Sequence, residues 1–346
     1  MKGPPRQSKL WLIIIISMVC ILSSTSLGSS GFVLPWYGEQ AKTIWFDLRL
    51  PRAATAVLVG ALLAIAGLVM QNTVRNPLAD PYLFGSAAGA ALAVLLLLIF
   101  LPDARAAEQA NTWLAQLSVT SAAFIGSLLT LLVLVGLASG GPGNRLSGNL
   151  SSHLSNDTSR LVLIGVALAS TLGAILQLLT IWANEPALRG IYFWMMGAVP
   201  DHYPSAWLLL LTATVFIWVW LERKTLDAVV HGAALARNFG VDYRKAMPRL
   251  LALASLATAL AVSQAGAIAF VGLAAPHIAR RVCGDRAQLL IPASMCIGAL
   301  IVTLADAIGR SVLAPQTIPV GVLTTFIGTP ILFHLLSGRK VSRSPL

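Results

Sequence analysis

Long apolar runs separated by short polar stretches recur along nearly the whole of this sequence. Most of these runs approach the roughly 20 residues that an α-helix needs to cross a lipid bilayer. The pattern predicts an all-α polytopic membrane protein with about ten transmembrane helices, which form a single domain over residues 1–346. The predicted segments are 10–28, 52–71, 82–101, 113–138, 160–182, 204–221, 247–264, 268–280, 287–311 and 319–337.

The first apolar segment has two interpretations. A charged stretch, 1–9, precedes an apolar core, Leu10–Leu22, as in a secretory signal peptide. We favour an uncleaved transmembrane helix, because no small-x-small cleavage site closes the apolar run.

The main interruption of the apolar pattern is a polar stretch between the sixth and seventh predicted spans, which we call the 222–245 segment. A protein with so little water-soluble mass offers few places for a soluble partner to bind, so this segment is the best candidate. It is also basic. Six of the chain's 24 basic residues lie in it or just after it: Arg223, Lys224, Arg237, Arg244, Lys245 and Arg249.

Composition supports the membrane assignment. The chain is 57% hydrophobic and 11% charged, whereas soluble domains carry about 25% charged residues. Its mean hydropathy is +0.79. A soluble protein of this composition would have too little polar surface to stay in solution.

The formal net charge of +11 is explained by the way Lys and Arg distribute across a membrane, so we expect no nucleic-acid partner. With the N-terminus inside, ten spans place 18 basic residues on cytoplasmic stretches and six outside. This asymmetry predicts cytoplasmic N- and C-termini and a cytoplasmic 222–245 segment. The six outside are Lys42, Arg49, Arg52, Arg105, Arg189 and Arg310.

Sequence motifs for catalysis, nucleotide binding and metal binding are not found. The chain has no GxxxxGKS/T phosphate loop, no HExxH, no GxSxG and no clustered Cys and His. Its three cysteines show no paired spacing. We therefore expect no enzyme activity, no cofactor and no metal, and any ATP must be hydrolysed by a partner.

An ion-coupled secondary transporter is the alternative from another class. Such a protein usually carries ionisable residues deep in the bilayer, and the predicted spans are nearly free of them. Asp306 is the best candidate, but Arg310 lies one helical turn away and can pair with it. This spacing weighs against a proton relay.

The two halves of the chain show a faint symmetry. The spans that follow Pro51 and Pro248 both run through small-residue helices into Pro-containing breaks, at 76–81 and 275–277. Inverted or internal repeats of this kind are common in transporters, and we expect an inverted repeat here.

Several motifs along the chain together resemble the FecCD-type permeases, which are the BtuC-like membrane subunits of type II ABC importers. The most specific is Gly266–Arg280, GAIAFVGLAAPHIAR. The others are Arg49–Arg52, Gly67–Gln71, Asn76–Gly85, Trp194–Gly197, Ala305–Arg310, Ile318–Thr324 and Gly328–Pro330.

The resemblance implies two permease copies, identical or paralogous, surrounded by the lipid of a bacterial inner membrane. It also implies two ABC ATPase subunits as partners and a periplasmic substrate-binding protein. The 222–245 segment would form two short helices that contact the ATPase, although Ala233 and His231 depart from the family pattern. The coupling residues implied are Leu226, Gly232, Ala233, Arg237 and Gly240.

Two further sites are implied by the resemblance. Arg49, Arg52 and Arg310 match three arginines that receive carboxylates of the binding protein in cobalamin permeases. A planar guanidinium suits that pairing, and the alternative is snorkelling at the membrane interface. Thr317 stands where the family commonly has Glu. The cytoplasmic gate would comprise Asn76, Leu78, Thr158 and Ser159.

These features predict the transmembrane permease subunit of an ATP-driven importer, which forms the pathway for an iron chelate, either a siderophore or haem. The preference for iron rests on the run Asn76–Tyr82, which resembles that of iron-chelate permeases. Cobalamin is the alternative cargo within the same family.

Overall fold

A computed structural model describes residues 6–28, 31–100, 113–138, 153–201, 203, 206–314 and 316–337. In this part of the chain all regular structure is helical, as predicted. Short turns of 3-10 helix occupy Pro35–Tyr37 and Pro81–Phe84, and a π-helical turn occupies Ile44–Arg49. The α-helices are α1 Arg6–Thr25, α2 Glu39–Thr43, α3 Leu50–Val74, α4 Ser86–Phe100, α5 Trp113–Ala138, α6 His153–Thr180, α7 Glu185–Met195, α8 Ala206–Leu221, α9 Arg223–Val229, α10 Ala233–Asn238, α11 Tyr243–Ala265, α12 Val271–Cys283, α13 Ala287–Ser311 and α14 Val320–Ser337.

Every predicted apolar segment contains a helix. Helices α5 and α13 have the predicted bounds, whereas the segment 82–101 is divided at Gly85, whose φ of 78° ends the Pro81–Phe84 turn before α4 begins. Five of the described helical spans are long and apolar enough to cross a bilayer, or six if α8 and α9, bent by 55°, form one span. The number of ten spanning helices stays a prediction.

Helices α2 and α7 lie outside the predicted segments. α7 begins where the side chain of Asn184 accepts a hydrogen bond from the backbone N–H of Ala187 at 3.2 Å, and Pro186 occupies its first turn. It buries Ala187 and Ile191 beside α4. Glu185 and Arg189 interrupt the apolar pattern of this short helix, so a search for long continuous apolar runs does not find it.

Helix α3 is the centre of the bundle. Of its 25 residues, 20 are buried, as expected for a helix that is apolar on all sides. Helices α11, α12 and α13 pack around it. At the crossing with α13, a Cβ added to either Gly60 or Gly298 would lie 2.3 Å from the carbonyl oxygen of the other glycine. The two backbones are therefore in direct contact, as small residues allow in membrane bundles.

Helices α3 and α13 run antiparallel, because Arg52 at the start of α3 pairs with Asp306 near the end of α13. Each helix has 25 residues and is about 37 Å long at 1.5 Å per residue. The hydrocarbon core of a bilayer is about 30 Å thick. The pair is therefore long enough for its two ends to lie at opposite membrane surfaces.

Candidate functional site

Three of the arginines predicted to face outside, Arg49, Arg52 and Arg310, lie together at one end of the α3 and α13 pair. Arg52 Nε donates to Asp306 Oδ1 at 2.9 Å, and Arg310 Nε donates to Oδ2 of the same carboxylate at 3.0 Å. The Asp306 side chain is buried, so its negative charge is shared by these two guanidinium groups. Arg49 is close enough to Arg310 for the two positive charges to repel each other. The pairing of Asp306 with Arg310, expected from their spacing, is present.

Arg49 differs from the other two arginines in what it contacts. Its guanidinium donates to the backbone carbonyl oxygens of Ser26 at 2.6 Å, Gly31 at 3.0 Å and Thr25 at 3.3 Å. The residue is only 4% exposed. Arg49 therefore holds the turn that follows α1, and in this conformation it presents little surface to a partner.

A carboxylate that the sequence reasoning missed completes the cluster. Asp201 Oδ1 accepts a hydrogen bond from Arg52 Nη1, and the Asp201 side chain is 63% exposed. Three arginines and two aspartates give the cluster a net charge of +1, from three positive minus two negative charges. The only sequence signal for Asp201 is its position in an outer connection, four residues after the motif that ends at Gly197.

The 222–245 segment forms two short helices, α9 and α10, as the resemblance implied, with Gly232 at a φ of 90° between them. Leu226 is fully buried, so it anchors the segment to the bundle and is not available to a partner. Ala233 is half-buried, whereas Arg237 and Gly240 are exposed. Of the predicted coupling residues, Arg237 and Gly240 are therefore the most accessible.

Apolar side chains are exposed on this otherwise polar segment. Val230 is 42% exposed, Leu235 49% and Phe239 67%. In a cytoplasmic segment no lipid tails would cover them, and exposed apolar groups rimmed by charge mark interaction sites. A neighbouring cavity of about 680 Å³ is lined by Thr225, Gly240, Val241, Asp242, Lys245, Pro248 and Arg249.

The 222–245 segment is fixed to the ends of α3 and α13 that lie away from the arginines. Asp227 Oδ1 accepts a hydrogen bond from the backbone N–H of Ala287, the first residue of α13, at 2.7 Å. Arg75, just after α3, lies against Gly232, because a Cβ added there would meet its Nη1 at 2.9 Å. The segment and the arginine cluster are therefore at opposite ends of the same two helices.

The predicted gate residues on the loop after α3 are locally ordered. Arg75 adopts a left-handed conformation, with a φ of 54°, and ends the helix. Asn76 Oδ1 then accepts a hydrogen bond from the backbone N–H of Leu78 at 3.0 Å. Thr158 and Ser159 lie in α6, but their side chains are outside the described part of the chain. The gate remains a prediction.

A second cavity adjoins this loop, where it meets α6 and the break between α11 and α12. It has a volume of about 390 Å³ and contains Asp80, whose Oδ1 accepts a hydrogen bond from the backbone N–H of Tyr82 at 2.8 Å. Burial raises the pKa of Asp80 to about 6, and the Tyr82 hydrogen bond offsets part of this rise. The lining residues are Asp80, Tyr82, Val166, Ala169, Ser170, Ala269 and Phe270.

Two of the sequence motifs are joined in the bundle. A Cβ added to Gly67 would lie 1.8 Å from the carbonyl oxygen of Gly272, so α3 and α12 touch through their backbones. One turn further on, Arg280 donates to the side-chain oxygens of Gln71 and, at 2.7 Å, Asn72. These motif residues thus fix one helix crossing. Among the described residues, no group of three or more His, Cys, Asp or Glu could hold a metal ion.

Comparison with known proteins identifies the family. The model of the FecCD transport family matches residues 9–338. The chain belongs to the FecCD transport family. The resemblance inferred from the motifs is thereby confirmed, and the apolar helices of this FecCD chain are those of a multi-pass membrane protein.

Three relatives of this FecCD chain cover most of its length. It is 34% identical to the vitamin B12 import system permease protein BtuC of Vibrio cholerae, over 87% of this chain and 84% of that protein. It is 33% identical to the hemin transport system permease protein HmuU of Yersinia pestis, over 97% of each chain. It is also 33% identical to YfhA of Bacillus subtilis, described as a siderophore transport system permease, over 95% of each chain.

A solved structure shows the same fold. It is an inward-facing structure described as a metal-chelate type ABC transporter, and it matches with a TM-score of 0.77. The match covers 96% of this chain and 100% of that chain at 24% sequence identity. The helical arrangement of the FecCD chain is therefore one already seen in a transporter.

Proposed function

We propose that this chain is the permease subunit of an ABC importer for a metal chelate. The observation that carries the proposal is the placement of two partner surfaces at opposite ends of α3 and α13. One is an arginine cluster fixed by Asp306, and the other is the 222–245 segment with its exposed apolar side chains. An importer driven from outside by a binding protein and from inside by an ATPase needs both surfaces.

The two surfaces define the expected partners. The chain has no phosphate loop, so two ABC ATPase subunits would supply ATP hydrolysis on the cytoplasmic side. A periplasmic binding protein would dock at Arg52 and Arg310, while Arg49 would hold the neighbouring turn in place.

A second permease copy would complete the pathway. Each copy would have ten spanning helices with an inverted repeat inside it. The gate at Asn76, Leu78, Thr158 and Ser159 would close the pathway on the cytoplasmic side.

An iron chelate, either a siderophore or haem, is the proposed cargo. Relatives of similar identity are named for hemin, siderophore and vitamin B12 transport, so the family alone does not select one. The run Asn76–Tyr82 favours iron chelates, and cobalamin is the second candidate. The bacterial inner membrane, with both termini cytoplasmic, is the proposed location.

Reconstitution into liposomes tests the proposal. The permease, its ATPase and its binding protein are combined, and uptake of labelled ferric siderophore, haem and cobalamin is measured with and without ATP. We expect ATP-dependent uptake of an iron chelate that needs all three components. Uptake of cobalamin alone would select the second cargo, whereas uptake by the permease without ATPase would contradict the importer and indicate an ion-coupled transporter.

A further inference from the structure

Arg52 holds two carboxylates of very different character. Its Nε is bonded to Asp306, whose side chain is 2% exposed, and its Nη1 is bonded to Asp201, whose side chain is 63% exposed. A buried pair persists because separating it leaves a charge without solvent. The pair with Asp201 is weaker, because Asp201 is open to water, which competes for its carboxylate. One carboxylate on Arg52 is therefore permanent and the other is replaceable.

The position of Asp201 along the chain keeps it near Arg52. Just before it, the backbone is fixed by two hydrogen bonds: Ala198 N–H donates to the carbonyl oxygen of Ala265 at 2.9 Å, and Gly321 N–H donates to that of Gly197 at 3.3 Å. Asp201 is only three residues beyond Ala198. A carboxylate on so short a tether has a high effective concentration at its target, so it occupies Arg52 whenever no stronger ligand is bound.

We propose that Asp201 is an internal stand-in for the acidic side chain of the docking partner. In the undocked permease it covers the Nη1 edge of Arg52, and a carboxylate of the binding protein displaces it on docking. This inference rests on the proposed docking function of the outer arginine cluster. Removing the Asp201 charge raises the net charge of the cluster from +1 to +2, which strengthens attraction to an acidic protein surface.

The substitution Asp201→Asn tests the inference, because it removes the charge, keeps the size and lies at an exposed position. Binding of the purified binding protein to the permease–ATPase complex is measured at several salt concentrations. We expect Kd to fall about two- to fivefold, the range of a weak exposed ion pair, with a faster and more salt-sensitive association. An unchanged or higher Kd would overturn the stand-in role.

Glu185→Gln is the matched control. Glu185 is an exposed carboxylate at the start of α7 that pairs with Arg189 at 3.2 Å, so its loss changes the net charge equally without touching Arg52. We expect no comparable change in Kd. An equal gain in affinity would show a general charge effect and would also overturn the stand-in role.

Arginine variants separate this inference from the docking proposal. If Arg52→Gln and Arg310→Gln both leave Kd unchanged, the docking site itself is wrong. If they weaken binding while Asp201→Asn does not strengthen it, docking stands and the stand-in role fails. When Arg52 is replaced by Gln, the gain in affinity for the binding protein from Asp201→Asn should vanish. A gain that persists would contradict the direct contact between Asp201 and Arg52. If Arg52→Gln does not fold, Arg52→Lys serves instead: it keeps a positive charge but lacks the forked guanidinium, so the gain in affinity from Asp201→Asn should shrink, and an undiminished gain would contradict the direct contact.

Discussion

Asp306 is the side chain that holds together the arginine end of the α3 and α13 pair. Its two oxygens accept hydrogen bonds from Arg52 and Arg310 in a nearly dry environment. Because Asp306 is the carboxylate that both arginines share, its removal would leave positive charges facing each other. This makes Asp306 structural, whereas a proton relay would need a carboxylate free to release its proton.

Asp306→Asn should therefore destabilise the protein strongly. Removing one partner of a buried ion pair typically costs about 3–5 kcal/mol, and thermal unfolding in detergent would measure the loss. Glu39→Gln, which breaks an exposed pair with Lys42, should cost no more than about 1 kcal/mol. Equal stability of the Asp306 variant and the wild type would contradict the shared carboxylate.

Asp80 predicts a pH dependence of stability. Its pKa rises from the ordinary 3.8 to about 6 in the folded protein, because burial disfavours the charged form. Between these values the folded state holds a proton that the unfolded state releases, so stability falls as pH rises through this window. Asp80→Asn cannot titrate, and its Oδ1 can still accept from the Tyr82 N–H.

The difference in melting temperature between Asp80→Asn and the wild type should therefore increase from about pH 4 to about pH 6 and then level off. Melting curves of both proteins in matched buffers measure this difference. A difference that stays constant across the window would show that the Asp80 carboxyl is not withdrawn from water.

At the scale of the helices, close backbone contacts determine how α3 and α13 pack. Gly60→Ala would place a methyl group 2.3 Å from the Gly298 carbonyl oxygen, so α3 and α13 would have to separate. We expect the free energy of unfolding to fall by about 1–3 kcal/mol, the usual effect of overpacking. Gly136 in α5 has no neighbour within 4 Å of an added Cβ. Gly136→Ala should therefore be neutral or slightly stabilising, and equal effects of both variants on melting temperature would contradict the crossing.

Asp227 joins the 222–245 segment to α13 by a single hydrogen bond at the first turn. Asp227→Ala should lower the stimulation of ATPase activity by the binding protein, because movement of the segment would no longer reach α13. Asp227→Asn retains the acceptor and should restore coupling.

Asp285→Ala is the control for the Asp227 variants. It removes a nearby exposed carboxylate that acts electrostatically on Arg280. The ratio of stimulated to basal ATP hydrolysis is the measurement. If Asp227→Ala behaves like Asp285→Ala, the hydrogen bond to Ala287 does not couple the two elements.

Sequence patterns located the helices more readily than the contacts between them. Continuous apolar runs mark the bounds of α5 and α13 to the residue, but α7 is short and interrupted by Glu185 and Arg189, so the same search misses it. The spacing of Asp306 and Arg310 falls within one helical turn, so their pairing was predictable. Asp201 lies 149 residues from Arg52, and a contact of that range has no periodic signature.

At the scale of the whole molecule, the exposed apolar side chains of the 222–245 segment predict where the ATPase binds. Leu235→Asp combined with Phe239→Asp should abolish co-purification with the ATPase, because a desolvated contact would receive two charges. Phe32→Asp, at a residue that is also exposed but lies between α1 and α2, should leave co-purification intact. An intact complex carrying both segment substitutions would contradict the docking surface.

The glycine crossing of α3 and α13 also has a mechanical consequence. If the two helices rock as rigid bodies about the point where Gly60 meets Gly298, that point is a fulcrum placed off centre. On α3 the arm to Arg52 is about 12 Å and the arm to Arg75 about 22 Å, from 1.5 Å per residue. A small displacement at the arginines would then become a nearly twofold larger, opposite displacement beside Gly232, so the unequal arms amplify motion toward the 222–245 segment.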